Sequence, residues 1–263
     1  MRLGSPINAV HRKMLRRMHR RVVSLAGHGP IVSFTFDDFP RSAASTGGAV
    51  LEHYGARGTY YTAMDLMNRS GEPGNLFHES DLEELLEKGH ELAGHTFSHI
   101  SARAVSCREF LADAVHGRQA LEEISGSECG NFAYPFGDVA LPVKAALGPQ
   151  MSSSRGIIPG INGPDDVDLN LLMANSLYGD MDQFVHAKAL IAENKRRKGW
   201  LIFYTHDVQA QPSPYGCTPA LFEAVVGSAA ESGCRILTVQ QAIESIGVPN
   251  GGRSPGALRS VLA

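Results

Sequence analysis

Ile31-Val-Ser-Phe-Thr-Phe-Asp37-Asp38 is an apolar β-type run that stops on two adjacent carboxylates. Further β-type runs follow it near 57–63, 90–95, 131–136, 151–155, 171–177, 200–205 and 235–239. Helical patterns separate most of these runs, at 43–54, 80–88, 106–125, 140–147, 181–198 and 219–232. Strands that alternate with helices predict a parallel sheet, and about eight such units favour a closed barrel. The spacing alone also allows an open, doubly wound sheet.

A second polar stretch, His95-Thr-Phe-Ser-His99, follows another of the β-type runs. One carboxylate and two imidazoles can hold a divalent metal and leave coordination positions open. The second carboxylate of the Asp37-Asp38 pair is then available as a base beside a metal-bound water. Each stretch alone is a weak signal, because Asp-Asp is a common surface pair and two such histidines can simply face solvent. Their common position at strand ends, where loops carry function on a rigid scaffold, indicates a metallohydrolase.

Four blocks of the sequence together resemble the polysaccharide deacetylase family, carbohydrate esterase family 4. In chain order they are Thr35-Phe-Asp-Asp38, His95-Thr-Phe-Ser-His99, Phe132-Ala-Tyr-Pro-Phe-Gly137 and Leu201-Ile-Phe-Tyr-Thr-His206. The resemblance spans roughly residues 31–245. It implies a distorted (β/α) barrel of about seven or eight parallel strands, with the active site at the carboxyl ends of the strands.

The resemblance also implies a role for individual residues in these blocks. Asp37 is expected to be the catalytic base and His206 the general acid. The backbone N–H of Phe136 is expected to donate to the oxyanion. The remaining three positions are the expected metal ligands, Asp38, His95 and His99. Zinc is the favoured divalent metal, and cobalt and nickel are alternatives.

The chain departs from the family pattern at several positions. Ala133 stands where the family carries an Arg that pairs with the catalytic Asp, and Phe136 stands where a Tyr is usual. The second change keeps the N–H, whereas the first removes a cation that controls the pKa and orientation of the base. We expect Arg155, at the end of the next β-type run, to replace that cation. Asp166 and Asp168 are candidates, by position only, for the family's Asp that orients the catalytic His.

Length and composition are those of one compact domain. The chain has 263 residues, of which 43% are hydrophobic, so it can bury a large core without division into separate domains. We expect the barrel to occupy residues 30–248 and a frayed tail to follow at 249–263. No Cys-x-x-Cys pair occurs among the four cysteines, Cys107, Cys129, Cys217 and Cys234. They indicate reduced thiols and a cytoplasmic protein, in preference to disulfides or a thiolate metal site.

Residues 1–29 carry a different charge from the rest of the chain. They hold seven basic residues and no acidic one, whereas the remainder holds 17 basic and 27 acidic residues. Apolar side chains recur through this segment at helical spacing, at Val10, Met14, Met18, Val22 and Leu25. The pattern predicts a basic amphipathic helix, and no apolar stretch of the length of a secretory signal follows it.

We favour the interpretation that this helix caps the barrel and turns its charged side to solvent. The alternative is peripheral docking at the inner face of an anionic membrane, near lipid-linked sugars. Nucleic acid is not expected as a partner, because the body is acidic and lacks interleaved aromatic and basic residues.

Three functions are compatible with the sequence. The favoured one is a metal-dependent hydrolase that removes acetyl groups from an N-acetylated, or alternatively O-acetylated, saccharide. Ala133 raises a second hypothesis, that of a barrel that binds glycan or metal but is catalytically impaired. A two-His-one-carboxylate iron oxygenase has the same ligand types, but the sequence shows no signal for the cosubstrate pocket that such a site needs.

Overall fold

A computed structural model describes residues 6–71 and 74–247 of the chain. Its helices are α1 (Pro6–Leu15), α2 (Gly48–His53), α3 (Glu79–Glu87), α4 (Cys107–Ser125), α5 (Leu141–Leu147), α6 (Phe184–Arg197), α7 (Pro219–Glu231) and α8 (Val239–Ser245). Its strands are β1 (Val22–Val23), β2 (Ile31–Asp37), β3 (Thr59–Thr62), β4 (Ser70–Gly71), β5 (Gly74–Asn75), β6 (Glu91–Gly94), β7 (Asn131–Ala133), β8 (Ser153–Arg155), β9 (Val167–Asp168), β10 (Asn175–Ser176), β11 (Trp200–Thr205) and β12 (Arg235–Ile236).

The main sheet contains seven parallel strands in the order β10, β11, β2, β3, β6, β7 and β8. β12 adds a parallel pairing to the first two residues of β2. A parallel bridge joins Arg155, at the end of β8, to Leu172, shortly before β10. This bridge links β8, at one side of the sheet, to the segment that leads into β10 at the other side. The predicted distorted (β/α) barrel of about seven or eight strands is confirmed.

β2 lies in the middle of the sheet, and all seven of its residues are buried. A parallel strand that is buried on both faces has a continuous apolar sequence, which is why this stretch stands out. Phe34 stacks on Phe203 of β11 with ring centroids 5.7 Å apart, and Phe36 stacks on Tyr60 of β3 at 4.6 Å. The buried hydroxyl of Thr35 donates to the carbonyl of Phe203 at 2.9 Å, so this polar group is satisfied inside the sheet.

α4 shows how local signals set the ends of a helix in this barrel. Ser106 is its N-cap, and the side chain accepts a hydrogen bond from the backbone N–H of Glu109. Gly126 ends the helix in the left-handed conformation, at a φ of 62°. Both ends agree with the helix that the sequence predicts at 106–125.

The N-terminal segment is not the long helix that the sequence predicted for 1–29. α1 ends at Leu15, and β1 pairs antiparallel with β9. A buried lysine explains the early end. Lys144 Nζ donates to Asp168 at 2.7 Å and to the carbonyls of Leu15 and Met18 at 2.7 and 2.9 Å. Carbonyls that a longer helix would pair internally are therefore bound to Lys144 instead.

The apolar side chains of this segment divide between core and solvent. Leu25 is buried, whereas Val10, Met14, Met18 and Val22 are exposed. None of the described helices is long and apolar enough to cross a membrane. Peripheral contact with an anionic membrane and a cytoplasmic location stay predictions. The expected tail, residues 249–263, lies outside the described residues.

The four cysteines are free thiols, as the sequence predicted. Burial raises the pKa of Cys129 to about 11 and that of Cys217 to about 12. Both thiols therefore stay protonated at neutral pH, which makes them poor nucleophiles and poor metal ligands.

Candidate active site

The carboxyl ends of four parallel strands bring the predicted residues to one end of the barrel. β2 ends at Asp37 and is followed by Asp38, and β6 is followed by His95. β8 ends at Arg155, and β11 is followed by His206. Barrels of parallel strands build their sites at this end, because the loops that follow the strands meet there.

Asp38, His95 and His99 form the candidate metal centre. One ligand atom from each of these residues lies within 4.8 Å of the other two. His95 Nε2 is 3.6 Å from Asp38 Oδ1, and His99 Nε2 is 2.9 Å from Asp38 Oδ2. Asp38 Oδ1 and His99 Nε2 are buried and have no hydrogen-bond partner of suitable geometry among the described residues. Buried polar atoms rarely lack partners, so these two atoms fit the role of ligands to a divalent cation.

His95 has the orientation that a metal ligand needs. Its Nδ1 lies 2.8 Å from the carbonyl of Ala133, so Nδ1–H donates there and Nε2 faces Asp38. Burial lowers the pKa of His95 to about 4, which keeps the imidazole neutral at physiological pH. Burial opposes the ionisation of Asp38, but the positive charge that the imidazoles of His95 and His99 carry when protonated outweighs it and lowers the pKa of this carboxyl. Asp38 and His95 are therefore deprotonated, as metal binding requires.

The loops that carry the metal ligands have a strained backbone. Thr96 and His99 have φ values of 60° and 52°, and Asp38 has a φ of 46°. Residues with a Cβ rarely adopt positive φ, and a β-branched Thr does so least readily. Such conformations persist only where the surrounding structure holds them, and they are common at functional sites.

α4 holds the 96–99 loop through two residues that no pattern in the sequence predicts. The carboxylate of Asp113 accepts hydrogen bonds from the backbone N–H groups of Phe97 and Ser98, both at 2.9 Å. Gly117 lies so close to the loop that a Cβ there would be 2.6 Å from backbone atoms of Thr96. Neither role has a sequence signal, because both depend on how the helix packs against a loop from another part of the chain.

Arg155 makes the predicted contact with Asp37. Its Nη2 donates to Asp37 Oδ1, and both side chains are buried. Two aromatic rings flank the guanidinium, whose Cζ lies 4.8 Å from the ring centroid of Tyr61 and 5.1 Å from that of Tyr204. Burial opposes the charge of Arg155, but Asp37 outweighs it and raises the pKa of the guanidinium. An ion pair therefore lies directly beside the candidate metal centre.

The sheet register explains why Arg155 reaches this position. Ala133 and Arg155 are paired neighbours on the adjacent parallel strands β7 and β8. Side chains at paired positions point to the same face of a sheet, so Arg155 lies next to the small side chain of Ala133. The cation therefore comes from the strand beside the one on which the family resemblance expects it.

Phe136 lies in the tight turn Pro135–Gly137, directly after β7. Its φ is 60°, and its ring centroid is 4.3 Å from that of His99. Gly137 follows with a φ of 64°, and a Cβ there would lie 2.1 Å from the side chain of Ile157. Glycine is therefore needed at that position, and the turn holds the ring of Phe136 against His99 of the candidate metal centre.

His206 follows β11 and lies among aromatic side chains. Its ring centroid is 6.2 Å from that of Tyr178 and 5.6 Å from that of Tyr215. Its Nδ1 lies 3.2 Å from the backbone carbonyl of Tyr215. His206 follows β11 and Asp38 follows the neighbouring parallel strand β2, so both residues lie at the same end of the barrel.

Neither Asp166 nor Asp168 orients His206, so both candidates from the sequence were wrong. Asp168 is buried and accepts a hydrogen bond from Lys144 at 2.7 Å. Asp166 is exposed and pairs with Arg20. Both carboxylates therefore form ion pairs with basic residues, one on α5 and one in the N-terminal segment.

The sequence model of the family described as polysaccharide deacetylase matches residues 11–148, just over half of the chain. The chain belongs to the polysaccharide deacetylase family. No curated protein sequence matches it.

Solved structures with low sequence identity share the fold of this polysaccharide deacetylase family member. The Xyl-CE4 domain of a multidomain xylanase, from the hindgut metagenome of Trinervitermes trinervoides, is 17% identical with a TM-score of 0.55, over 85% of this chain and 94% of its own. A family 4 acetyl xylan esterase from Clostridium thermocellum, in complex with a cobalt ion, is 18% identical with a TM-score of 0.55, over 84% and 95%. The chitin deacetylase from Colletotrichum lindemuthianum is 15% identical with a TM-score of 0.54, over 87% and 90%. At these identities the likeness establishes the fold alone.

The match to the polysaccharide deacetylase family ends before two of the candidate site residues. Arg155 and His206 both lie beyond residue 148. The fold brings them to the candidate metal centre, together with the tyrosines that flank Arg155. The loop after His206 has one signal in the sequence, because the Pro-rich stretch at 212–216 is typical of a tight turn.

Proposed function

We propose that this chain is a metal-dependent hydrolase that removes the acetyl group from an N-acetylated saccharide, with an O-acetyl ester as the alternative substrate. The observation that carries the proposal is the different surroundings of two adjacent carboxylates. Asp38 faces His95 and His99, whereas Asp37 pairs with Arg155. One carboxylate is therefore suited to bind a metal, and the other is suited to accept a proton.

Asp38, His95 and His99 would hold the metal. Two imidazoles and one carboxylate suit zinc, and cobalt and nickel accept the same donors. When bound, the ion would supply Lewis acidity that activates water and polarises the acetyl carbonyl.

Asp37 is the proposed general base. It accepts a proton from the water that attacks the acetyl carbon. A guanidinium at hydrogen-bond distance favours the ionised form of a carboxylate and restricts its orientation. The rings of Tyr61 and Tyr204 in turn flank Arg155, so the cation itself has a fixed position.

Phe136 and His206 have complementary proposed roles in the rest of the reaction. The backbone N–H of Phe136 donates to the oxyanion that forms when water adds to the carbonyl. His206 delivers a proton to the leaving nitrogen as the C–N bond breaks. The products are acetate and a saccharide with a free amine. Exchange of protons with solvent returns Asp37 and His206 to their starting forms.

A catalytically impaired barrel that binds glycan or metal is the competing hypothesis, and its motive is Ala133. The contact between Arg155 and Asp37 argues against it, because a cation is present beside the proposed base. Released acetate distinguishes the two hypotheses.

In the test, full-length protein loaded with Zn²⁺, Co²⁺ or Ni²⁺ is incubated with a panel of N-acetylated and O-acetylated saccharides, and free acetate is measured. Asp37→Asn is the matched control, since it keeps the shape of the side chain but should lower the rate by roughly 10²–10⁴-fold through loss of the base. Its metal content should equal that of the wild type. No release from any saccharide with any of the three metals would contradict the hydrolase and favour the binding barrel.

A further inference from the structure

A backbone carbonyl contacts the ring of His206 where the family pattern has an Asp. The Nδ1 atom lies 3.2 Å from the oxygen of Tyr215. Within residues 6–71 and 74–247, no ion pair with a carboxylate includes His206. The same oxygen accepts the backbone N–H of His206 at 3.1 Å and the hydroxyl of Thr205 at 3.3 Å. Two donors from consecutive residues, the hydroxyl of Thr205 and the N–H of His206, therefore fix this acceptor relative to the imidazole.

The carbonyl belongs to a loop that folds back onto Asp207. The carboxylate of Asp207 is buried and accepts hydrogen bonds from the backbone N–H of Ser213 at 2.9 Å and from Ser213 Oγ at 2.5 Å. Gln209 Nε2 also donates to it at 2.9 Å. The backbone N–H of Cys217 donates to the carbonyl of Asp207 at 2.9 Å and closes the loop. The side chain that follows His206 thus holds the segment that returns to the His206 ring.

Gly216 lies against the same carboxylate. A Cβ at this position would be 2.2 Å from Asp207 Cγ and Oδ1, which is too short for atoms that are not bonded to each other. The peptide that carries the Tyr215 oxygen links Tyr215 to Gly216. Any larger residue at 216 must therefore displace either Asp207 or the peptide that contacts His206.

We propose that the carbonyl of Tyr215 sets the tautomer and orientation of His206, and that Asp207, Ser213 and Gly216 are positioning residues for this carbonyl. The proposal rests on the proposed function, in which His206 is the general acid. A carbonyl can only accept a hydrogen bond, so Nδ1 keeps its proton in both forms of the ring. The imidazolium delivers its Nε2 proton to the leaving group and returns to the neutral Nδ1–H form.

The tautomer is measured directly by long-range ¹H–¹⁵N NMR of the zinc-loaded, full-length protein with ¹⁵N-labelled histidine. The spectrum is recorded well above the ordinary His pKa of about 6.5, and the signal of His206 is the one that disappears in His206→Gln. We expect the Nδ1–H tautomer in the wild type. A wild-type His206 protonated on Nε2 instead would overturn the proposal.

Two variants test the positioning residues by different routes. Gly216→Ala displaces the peptide, and Ser213→Ala removes the hydroxyl donor from Asp207. Each should weaken the preference for Nδ1–H and lower kcat by about tenfold or more, with little change in KM or zinc content. If Gly216→Ala does not fold, Ser213→Ala alone still tests the positioning of the carbonyl. An unchanged tautomer and an unchanged kcat in the folded variants would contradict the proposal.

Two controls separate the carbonyl from other effects. Ser232→Ala is the matched serine control, since Ser232 makes two comparable hydrogen bonds at the distant end of α7. It should change neither the tautomer nor kcat. Tyr215→Ala removes the ring but keeps the carbonyl, so the His206 signal should keep its Nδ1–H form. Because the tautomer is read without substrate, a wild type that releases no acetate but shows these NMR results would refute the proposed function and leave this proposal intact.

Discussion

The two sides of the candidate site are built in different ways. On the metal side, Asp38, His95 and His99 come from two short, continuous stretches of sequence. On the proton side, Arg155 contacts Asp37 and the Tyr215 carbonyl contacts His206, and both come from other segments than the Arg and the Asp of the family pattern. Three donors must converge on one point to hold a metal, which constrains residue type and spacing together. A cation beside a carboxylate, or an acceptor beside a ring nitrogen, can come from any segment that ends nearby.

The largest expected effect is on the metal side. His95→Ala should abolish stoichiometric binding of zinc or cobalt and all acetate release, because two protein ligands remain where structural and catalytic zinc sites use at least three. Metal content is measured by elemental analysis after dialysis, with circular dichroism and Tm as checks on the fold.

His186→Ala is the matched control for this prediction, since His186 is an exposed histidine of α6. It should keep full metal occupancy. Full occupancy in the His95 variant as well would show that the metal side has been assigned to the wrong residues.

The proton side is tested by moving its cation back to the family position. Arg155→Ala leaves Asp37 buried without its partner, which should cost about 3–5 kcal/mol of unfolding free energy. It should also lower turnover by roughly 10–100-fold with little change in metal content. Ala133→Arg in the Arg155→Ala background should restore part of the unfolding free energy and part of the turnover, because the two positions are neighbours in the sheet register. Urea unfolding and acetate release measure the two effects.

The single variant Ala133→Arg sharpens the same comparison. With Arg155 present it places two cations in one buried space, so it should destabilise the protein rather than improve it. If the double variant were no better than Arg155→Ala alone, the two positions would not be interchangeable sources of the cation.

A smaller effect is expected from the residue that supports the metal side from α4. Asp113→Ala removes the carboxylate that accepts from the N–H groups of Phe97 and Ser98, although the N–H of Phe97 keeps the backbone carbonyl of Asp113 at 3.1 Å. Because Ser98 is exposed, the cost should be about 0.5–1.5 kcal/mol for each hydrogen bond lost. The strained 96–99 loop should loosen, and zinc affinity should fall by roughly 10–100-fold. Competition with a zinc-sensitive dye measures the affinity. Glu123 is an exposed acid on the same helix, so Glu123→Ala should leave the zinc affinity unchanged. An equal loss of zinc affinity in both variants would refute a specific role for Asp113.

Sequence predicted the barrel, and it predicted the three side chains that the structure groups at the candidate metal centre, for a physical reason. A strand buried on both faces must be apolar along its length, so β2 and β11 are visible without any structure. Metal ligands require particular side chains, so Asp38 and the two histidines are visible in the sequence as candidate ligands. Arg155 was also predictable, because a missing cation beside a buried carboxylate must be replaced.

Other features had no comparable signal. Every residue carries a carbonyl, so the acceptor at Tyr215 leaves no trace in residue types. The early end of α1 depends on Lys144, which bonds to carbonyls of the N-terminal segment from α5. The support from Asp113 and Gly117 depends on which face of α4 meets the loop. Each of these contacts joins segments that are distant in sequence, and periodicity within one segment cannot report it.

Phe136 lies between the two sides, and it gives the smallest expected effect. Its ring packs on His99 of the metal side, whereas its backbone N–H is the proposed oxyanion donor. Phe136→Gly removes the ring, keeps the N–H, and suits the φ of 60° better than any other residue. Turnover at saturating substrate should therefore fall by less than about tenfold, well below the ~10²–10³-fold that follows loss of an oxyanion donor. KM should rise, because the 61% exposed ring is available to contact the saccharide. If kcat instead fell by ~10²–10³-fold with unchanged metal content, the reaction would need the ring of this residue and not its N–H.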